Sequence, residues 1–225
     1  KNLINIKDLE LIFDKIFVSS EEININKEND LFEIIGNLKT KKAKININNY
    51  SKIIGKNLDI LNNQNVDLSS DSKLSFKTNK KFRISNFKIN SKLKFDELHT
   101  KSNYQDFIYL KNGNVQINYN KNELKINLDS KFLFKKKSYN NNETNNLFKA
   151  IYKKKQNLDA SVEIDLSNTK NKINSQELEK LIYYKNLYLP KQEISFASQN
   201  KIKFNLINNN KIKNLSVLSK MITDE

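Results

Sequence analysis

The chain contains no cysteine and one histidine, His99, among its 225 residues. Without a thiol it can form no disulfide, no cysteine nucleophile and no thiolate metal site. A single histidine has no second imidazole as a partner, and we interpret His99 as an ordinary surface or strand-edge residue. The acidic pairs Asp96-Glu97 and Asp224-Glu225 are interpreted as charged strand ends rather than as an acid–base pair. These absences predict a protein that is not an enzyme and that binds no cofactor or metal ion.

Glycine and proline are scarce, with 3 and 1 occurrences. Isolated glycines cannot build a glycine-rich phosphate-binding loop. Turns must therefore be made mainly from Asn, Asp and Ser, which tolerate left-handed backbone angles. The exception is the stretch KNGN at residues 111–114, which predicts a tight hairpin turn around Gly113. A second turn is predicted at NKN, residues 120–122, between two segments of alternating apolar residues.

The sequence has no run that approaches the roughly 20 apolar residues of a membrane-spanning helix, and no signal peptide is visible. We expect the chain to be a fragment of a longer protein. A membrane anchor or a signal would then lie outside these residues.

Positive charge is in excess, since 40 Lys and Arg against 25 Asp and Glu give a net charge of +15. Such a charge favours contact with polyanions, either nucleic acid or anionic lipid. AT-rich codon usage, which enriches Lys, Asn and Ile, is an alternative cause. Arginine is nearly absent, with Arg83 as its representative. The alternation places aromatic residues and lysines on opposite faces, whereas a single-strand binding groove needs both on one surface. We therefore predict no nucleic-acid partner.

Apolar residues make up 37% of the chain and the mean hydropathy is -0.71, which is low for a globular protein. They alternate with polar residues, and this pattern is typical of half-buried β-strands. The sequence predicts a mainly β fold, a long antiparallel meander of twisted strands, rolled or groove-forming, with two or three short inserted helices. One face of the sheet is apolar, and Lys, Asn and Ser line the other.

A long internal repeat organises the chain. Lys41–Glu97 aligns with Thr169–Glu225 without a gap, and 17 of the 57 positions are identical. Such self-similarity indicates one structural unit used twice. We divide the chain into leading strands at 1–40, a first copy at 41–97, connecting hairpins with an Asn-rich loop and a strand at 98–168, and a second copy at 169–225. The repeat counterpart of any residue is the one reached by the shift that takes Lys41 to Thr169.

The predicted short helices come from apolar residues at helical spacing. One lies in the first copy, a second at the equivalent place in the second copy, and a third in the connecting region. Their apolar positions are Tyr50, Ile53, Ile54 and Leu61 in the first, Leu178, Leu181 and Ile182 in the second, and Leu147, Phe148, Ile151 and Tyr152 in the third.

The apolar positions change register at the same point in both copies. Ile84 lies in an even-numbered series, whereas Phe87 begins an odd-numbered one. Because side chains alternate between the faces of a strand, an uncorrected switch would turn the later apolar residues outward. A bulge or tight bend at Ser85-Asn86 restores the facing. The second copy switches at the equivalent place, across Asn214.

Two stretches carry a resemblance to a known family. They read LSSDSKLSFKTNKKFRISNFKINSKLKFDEL, Leu68–Leu98, and FIYLKNGNVQINYNKNELKINLDSKFLF, Phe107–Phe134. Their long alternating strands and recurring strand–bend–strand unit resemble the repeat region of AsmA-like envelope proteins of the large YhdP and TamB type, as found in AT-rich alphaproteobacteria. The resemblance covers most of the chain and contains no catalytic motif.

The resemblance implies a rolled β-sheet whose hydrophobic groove carries phospholipid acyl chains through the periplasm. It also implies an inner-membrane helix, which this chain lacks. The expected partners are phospholipid, membrane surfaces and unidentified envelope proteins. The expected function is a non-enzymatic periplasmic segment that shields or transfers phospholipid between the inner and outer membranes. The alternative is a structural or adhesive β-repeat protein of the cell surface, with a closed core.

The candidate lipid-binding residues are the apolar positions of the first copy and of the hairpin that follows it. The alternative interpretation is that they form an ordinary protein core. They are Leu74, Phe76, Phe82, Ile84, Phe87, Ile89, Leu93, Phe95, Val115, Ile117, Tyr119, Leu124, Ile126 and Leu128.

Overall fold

A computed structural model describes residues 2–13, 16–46, 65–100, 107–136, 139–140, 146–173, 194–207 and 211–223, and all of its strands belong to one antiparallel sheet. The strands are β1 (Asn2–Phe13), β2 (Ile16–Glu28), β3 (Leu31–Asn46), β4 (Asn65–Asn79), β5 (Ile84–Thr100), β6 (Phe107–Tyr119), β7 (Glu123–Lys136), β8 (Tyr139–Asn140), β9 (Asn146–Lys155), β10 (Ala160–Ile173), β11 (Ile194–Ile207) and β12 (Lys211–Thr223).

Each strand of this sheet pairs with the next one along the chain. Eleven strands follow one another in sequence order from β1 to β12, and the two-residue β8 pairs with β7 beside this path. The sheet is open, because β1 and β12 each pair with one neighbour among the described strands. The prediction of a mainly β antiparallel meander is therefore confirmed.

The described part of the chain contains no helix. The first two predicted helices fall on residues 47–64 and 174–193, outside the described residues. The third prediction, from Leu147, Phe148, Ile151 and Tyr152, is wrong, because these residues lie in β9. In the strand, Phe148, Ala150 and Tyr152 lie on the apolar face, and β9 pairs along its length with both β7 and β10. The two ladders satisfy the backbone groups that a helix would satisfy internally.

One face of the sheet is apolar across its width. Residues directly opposite each other in neighbouring antiparallel strands share a face, so the apolar face can be followed from strand to strand. One row runs through Ser70, Leu93, Val115, Leu128, Ala150, Ile164, Ile202 and Val217, from β4 to β12. The row one position away, on the polar face, runs through Lys94, Asn114, Asp129, Lys149, Asp165, Lys201 and Leu218.

Bulges opened by asparagine keep the apolar residues on this face. Asn86 has φ 52°, and the register between β4 and β5 shifts so that Asn86 and Phe87 lie opposite Phe76. Asn214 has φ 54° and opens the equivalent bulge opposite Phe204 in β11. The left-handed conformation suits Asn, whose side chain tolerates it better than most residues do. The predicted bend at Ser85-Asn86 and its counterpart in the second copy are confirmed.

The two copies also share their strand pairing. Within Phe32–Phe95, the pairs of opposite residues between β3 and β4 and between β4 and β5 recur one repeat later. The recurring pairs join β10 to β11 and β11 to β12, wherever those strands are paired. Residues 41–42 bulge opposite Ser69, and residues 169–170 bulge opposite Ala197 in the same way. The structural repeat therefore begins before Lys41, where the alignment of the sequence begins. Successive copies lie six strands apart along the sheet.

The second copy is displaced along the strand direction. The row of paired residues that starts at Ser70 reaches β11 at Ile202, whereas the repeat counterpart of Ser70 is Ser198. The difference of four residues is an offset of about 13 Å at the usual rise along a strand. The sheet is therefore sheared as it grows, and equivalent positions do not lie on one perpendicular line.

The predicted hairpin turn at 111–114 is wrong, because these residues lie inside β6. Asn112 has φ 51°, and with Gly113 it forms another bulge, opposite Ser130. A Cβ atom on Gly113 would lie 1.9 Å from the ring of Phe95, which is its partner on β5. The glycine leaves room for that aromatic ring, and so the Asn-Gly pair serves a strand interior rather than a turn.

The turn between β6 and β7 lies at residues 120–122, as predicted. The Asn120 side-chain oxygen accepts hydrogen bonds from the backbone nitrogens of Asn122, at 2.8 Å, and Glu123, at 3.0 Å. This local capping is the reason that asparagine can replace glycine in such turns.

We predict that the bulge asparagine is required for its backbone angle. Asn86→Ala should lower the free energy of unfolding by roughly 1–2 kcal/mol, because alanine is strained in the left-handed region. Asn86→Gly should leave stability near that of the parent, since glycine adopts this region freely. Urea unfolding followed by circular dichroism measures both changes.

The matched control is Asn90→Ala, at an exposed position of the same strand that has no positive φ. We expect it to change stability by less than about 0.5 kcal/mol. A glycine variant of Asn86 as unstable as the alanine variant would contradict the conformational explanation.

Candidate apolar-ligand face

The structure gathers the predicted site residues on one surface. Thirteen of the fourteen lie in β4, β5, β6 and β7 with their positions on the apolar face. They pair across strands, for example Ile117 with Ile126 and Tyr119 with Leu124. Phe82 is the exception, because it lies in the turn between β4 and β5 and is 86% exposed.

Burial along this surface is graded. Phe95 is buried, with 4% exposure, and lies at one end of the predicted set. At the other end Phe87 is 37%, Tyr119 39% and Ile84 62% exposed. The remaining strand residues of the set are half-buried. The face is therefore closed at one end and open to a ligand or to solvent at the other.

A small core cluster forms the closed end. Val66, Phe95 and Leu110 are buried together, and partly buried apolar residues surround them: Leu98, Val115, Leu128, Phe132 and Phe148. The sequence prediction missed Val66, Leu110 and Phe148. Alternation with polar neighbours could have identified Val66, whereas Phe148 was assigned to a helix that does not form.

Aromatic side chains line the open end. The Phe87 ring centroid lies 6.4 Å from that of Phe76 and 6.0 Å from that of Tyr119, with tilted planes in both pairs. These distances fall in the range of favourable aromatic pairs. The three rings form a continuous apolar surface across β4, β5 and β6, and part of it remains accessible.

The apolar face continues beyond the predicted set to both ends of the sheet. In β12, Leu215 and Val217 are each 61% exposed and Met221 is 63% exposed. In β1, Ile4 is 56% and Leu11 52% exposed. These positions were not among the predicted residues, although the repeat relates Leu215 to Phe87 and Met221 to Leu93. Contiguous exposed apolar surfaces of this kind are typical of interaction sites.

Paired polar side chains interrupt the apolar face of the first copy. The Thr40 and Ser70 hydroxyl oxygens lie 2.7 Å apart, and those of Ser72 and Ser91 lie 2.6 Å apart. Each pair links neighbouring strands, and Ser91 is 3% exposed. The hydrogen bonds satisfy groups that would otherwise be costly to cover with apolar material.

The second copy has the same pairs built from different residues. Asn168 donates from its amide nitrogen to the Ser198 hydroxyl at 3.0 Å, and the Ser219 hydroxyl donates to the Asn200 side-chain oxygen. These four residues are the repeat counterparts of Thr40, Ser70, Ser91 and Ser72, in that order. The hydrogen bonds are retained although Thr and Ser are replaced by Asn in one partner of each pair.

A concavity of about 760 Å³ lies on the polar face between β1 and β6. Its walls include Lys7, Glu22, Lys73 and Asn90. Of the predicted apolar residues, Leu74, Ile89 and Tyr119 lie along it. Both polar and apolar residues line this hollow, Lys73 and Asn90 beside Ile35.

Ion pairs on exposed side chains link strands near the edges of the first copy. The Lys39 ammonium lies 2.5 Å from the Glu21 carboxylate, and its hydrogen bond and charge lower the pKa of Glu21. Lys80, 2.7 Å from Asp30, lowers the pKa of that carboxyl by the same causes. The pKa of each lysine is raised in return. Exposed pairs of this kind are screened by solvent and salt, and they orient the strands more than they stabilise them.

The chain's one histidine, His99, lies in β5 beside an acidic and an aromatic residue. His99 contacts Glu97 through Nε2 and packs edge-on against Tyr109, with ring centroids 4.3 Å apart. Among the same residues, no three metal-ligating side chains lie together. None of the described segments forms a helix with the length and apolar character needed to span a bilayer.

Comparison of the chain with protein-family models, curated proteins and solved structures found no match. The class of the protein is therefore described by its geometry alone. It is an antiparallel repeat sheet, sheared along its strands, with one apolar face.

We predict that the Ser72–Ser91 pair stabilises the sheet as a unit. Ser91→Ala should lower the free energy of unfolding by about 1 kcal/mol, because it leaves the Ser72 hydroxyl without this partner on a half-buried surface. The double variant Ser72→Ala/Ser91→Ala should be destabilised by less than the sum of the two single changes. Urea unfolding of all four proteins gives the coupling free energy.

Strict additivity of the two substitutions would contradict this prediction. In that case the hydroxyl pair would contribute nothing beyond the two separate side chains.

Proposed function

We propose that this chain is a non-enzymatic segment of an AsmA-like protein of the cell envelope. In this proposal it lies in the periplasm and is held at the inner membrane by a segment outside these residues. Its apolar face shields or transfers phospholipid between the inner and outer membranes, and acyl chains lie against that face.

The observation that carries the proposal is the breadth of the exposed apolar face. It extends over eleven strands, yet the buried apolar residues among the described ones are Ile16, Val66, Phe95, Leu110 and Ala160. Water is a poor solvent for such a surface, so something apolar must cover it. Each covered methylene contributes about 0.8 kcal/mol, so a stretch of about ten methylenes would contribute roughly 8 kcal/mol.

The polar pairs and the charge distribution are compatible with the same function. Each cross-strand hydrogen bond gives the hydroxyls of Ser70 and Ser91 a partner within the sheet, and this lowers the cost of covering them with an acyl chain. In the rows compared above, the lysines lie on the opposite face, and the net charge of +15 of the whole chain favours the neighbourhood of anionic headgroups.

The second candidate function is a structural or adhesive β-repeat whose apolar face is covered by protein. The observation that favours it is the buried cluster of Val66, Phe95 and Leu110, which packs as an ordinary core does.

Two substitutions on the apolar face separate these functions. We expect Leu93→Asp and Ile126→Asp to reduce the uptake of a fluorescent phospholipid from vesicles by at least about tenfold, because a carboxylate in the path of acyl chains must be desolvated. The far-UV circular dichroism spectrum should remain that of a β-sheet, since the half-buried positions leave room for hydration.

The matched control is Asn90→Asp, which adds the same charge on the exposed polar face of β5. It should take up lipid as the parent does. If Leu93→Asp and Ile126→Asp unfold the chain while Asn90→Asp does not, these residues form a closed core and the structural function takes precedence. Folded variants with unchanged lipid uptake would exclude this face as the lipid site.

A further inference from the structure

The edge strand β12 occupies the place in the repeat that β5 occupies in the first copy. Ser91 of β5 pairs with Ser72, and their repeat counterparts, Ser219 of β12 and Asn200, pair in the same way. The other edge of β5 is paired with β6 along most of its length. The corresponding edge of β12 has no partner among the described strands.

At the opposite end of the described sheet, the repeat also identifies the positions of β1 and β2. Val18 of β2 pairs with Thr40, and their repeat counterparts, Asn146 of β9 and Asn168, also pair. Thus β2 has the same position in the repeat as β9, and β1, the outer neighbour of β2, has the same position as β7. Since β7 is flanked by β6 in the sheet, both ends of the sheet stop beside the position of a β6-type strand.

Natural edge strands are protected by proline, by lysines, by bulges, by charges that point inward or by a covering segment. In β12 the bulge lies near one end, at Asn214, and the strand beyond it, residues 215–223, carries Lys220 as its one lysine. The strand has no proline, and its apolar face carries exposed Leu215, Val217 and Met221 without a charged residue. Its lysines, including Lys213 and Lys220, fall on the other face or at the bulge.

We propose that the edge of β12 that has no partner among the described strands is a strand-addition site for an extended segment with the alternation of β6. The segment pairs antiparallel to β12, with an apolar residue at every second position on the apolar face. Translating the β5–β6 register by one repeat places the counterparts of Val115, Ile117 and Tyr119 opposite Met221, Ser219 and Val217. Main-chain hydrogen bonds supply the affinity, and the alternating side chains fix the register.

The chemistry of β6 identifies the kind of strand that fits. Residues 114–119, NVQINY, present uncharged amides on the polar face and Val, Ile and Tyr on the other. In the proposed register, Gln116 lies opposite Lys220, where a lysine would be repelled. The added strand therefore extends the apolar face without placing like charges together.

Disulfide cross-linking tests the register directly, because the chain has no cysteine of its own. The full chain carrying Ser219→Cys is mixed with a synthetic peptide of residues 107–119 that carries Ile117→Cys, and diamide is added as oxidant. Directly opposite residues have Cα atoms about 4.5–5.5 Å apart, within the range that a disulfide spans. We expect this pair to cross-link at least about tenfold faster than peptides carrying Val115→Cys or Gln116→Cys.

The variant Met221→Lys tests whether peptide binding depends on the apolar face of β12. A lysine on the apolar face of the edge should reduce cross-linking to the level of a scrambled peptide, whereas Leu218→Lys, on the opposite face, should not. Circular dichroism confirms that each variant is folded. Equal rates for all three peptides, or no cross-linking above the scrambled peptide, would overturn the proposal. A disulfide dimer of two chains that forms in preference to the peptide adduct would assign the edge to a second copy and also overturn it.

Discussion

The structure depends on keeping one face of a long sheet apolar through eleven strands. Alternation alone fails over strands of 12 to 17 residues when the pattern slips by one position. The chain corrects the slip with residues in the left-handed region, at Asp8 in β1, Asn86 in β5 and Asn214 in β12. In β5 and β12 the correction is a bulge in which two residues face one on the neighbouring strand. Each correction returns the following apolar residues to the same side, and the shared face is the result.

Much of this organisation could be predicted from local sequence. The repeat, the bend at Ser85-Asn86 and the turn at residues 120–122 all follow from patterns within a few residues or from an ungapped self-alignment. The bulge at Asn112-Gly113 could not be predicted in this way, because its cause is the Phe95 ring on the neighbouring strand. The strand β9 is hard to predict because Leu147, Phe148, Ile151 and Tyr152 have helical spacing, whereas Phe148, Ala150 and Tyr152 alternate as in a strand. The two neighbouring ladders decide between these patterns.

The candidate site was predicted in its position on the sheet but not in its extent. Alternation identified the apolar residues of β4 to β7, and the structure places all but Phe82 on one face. The prediction stopped short of β1 and β12, although Leu215 and Met221 are the repeat counterparts of Phe87 and Leu93. The hydroxyl and amide pairs were also missed, because the hydrogen bond between positions 72 and 91 and its counterpart between 200 and 219 become visible only when the strands are paired. Their retention indicates that the interstrand hydrogen bond matters more than the residue type.

We propose that lipid rather than protein covers the apolar face. Native mass spectrometry of the full chain, purified without detergent from lipid-containing cells, tests it most directly when lipid is extracted from the same sample. If lipid covers this face, phospholipid should be retained in a defined ratio to the chain and should be lost on Leu93→Asp but not on Asn90→Asp. A lipid-free mass from a stably folded monomer would contradict it, because the apolar face would then be compatible with water or closed by the chain itself.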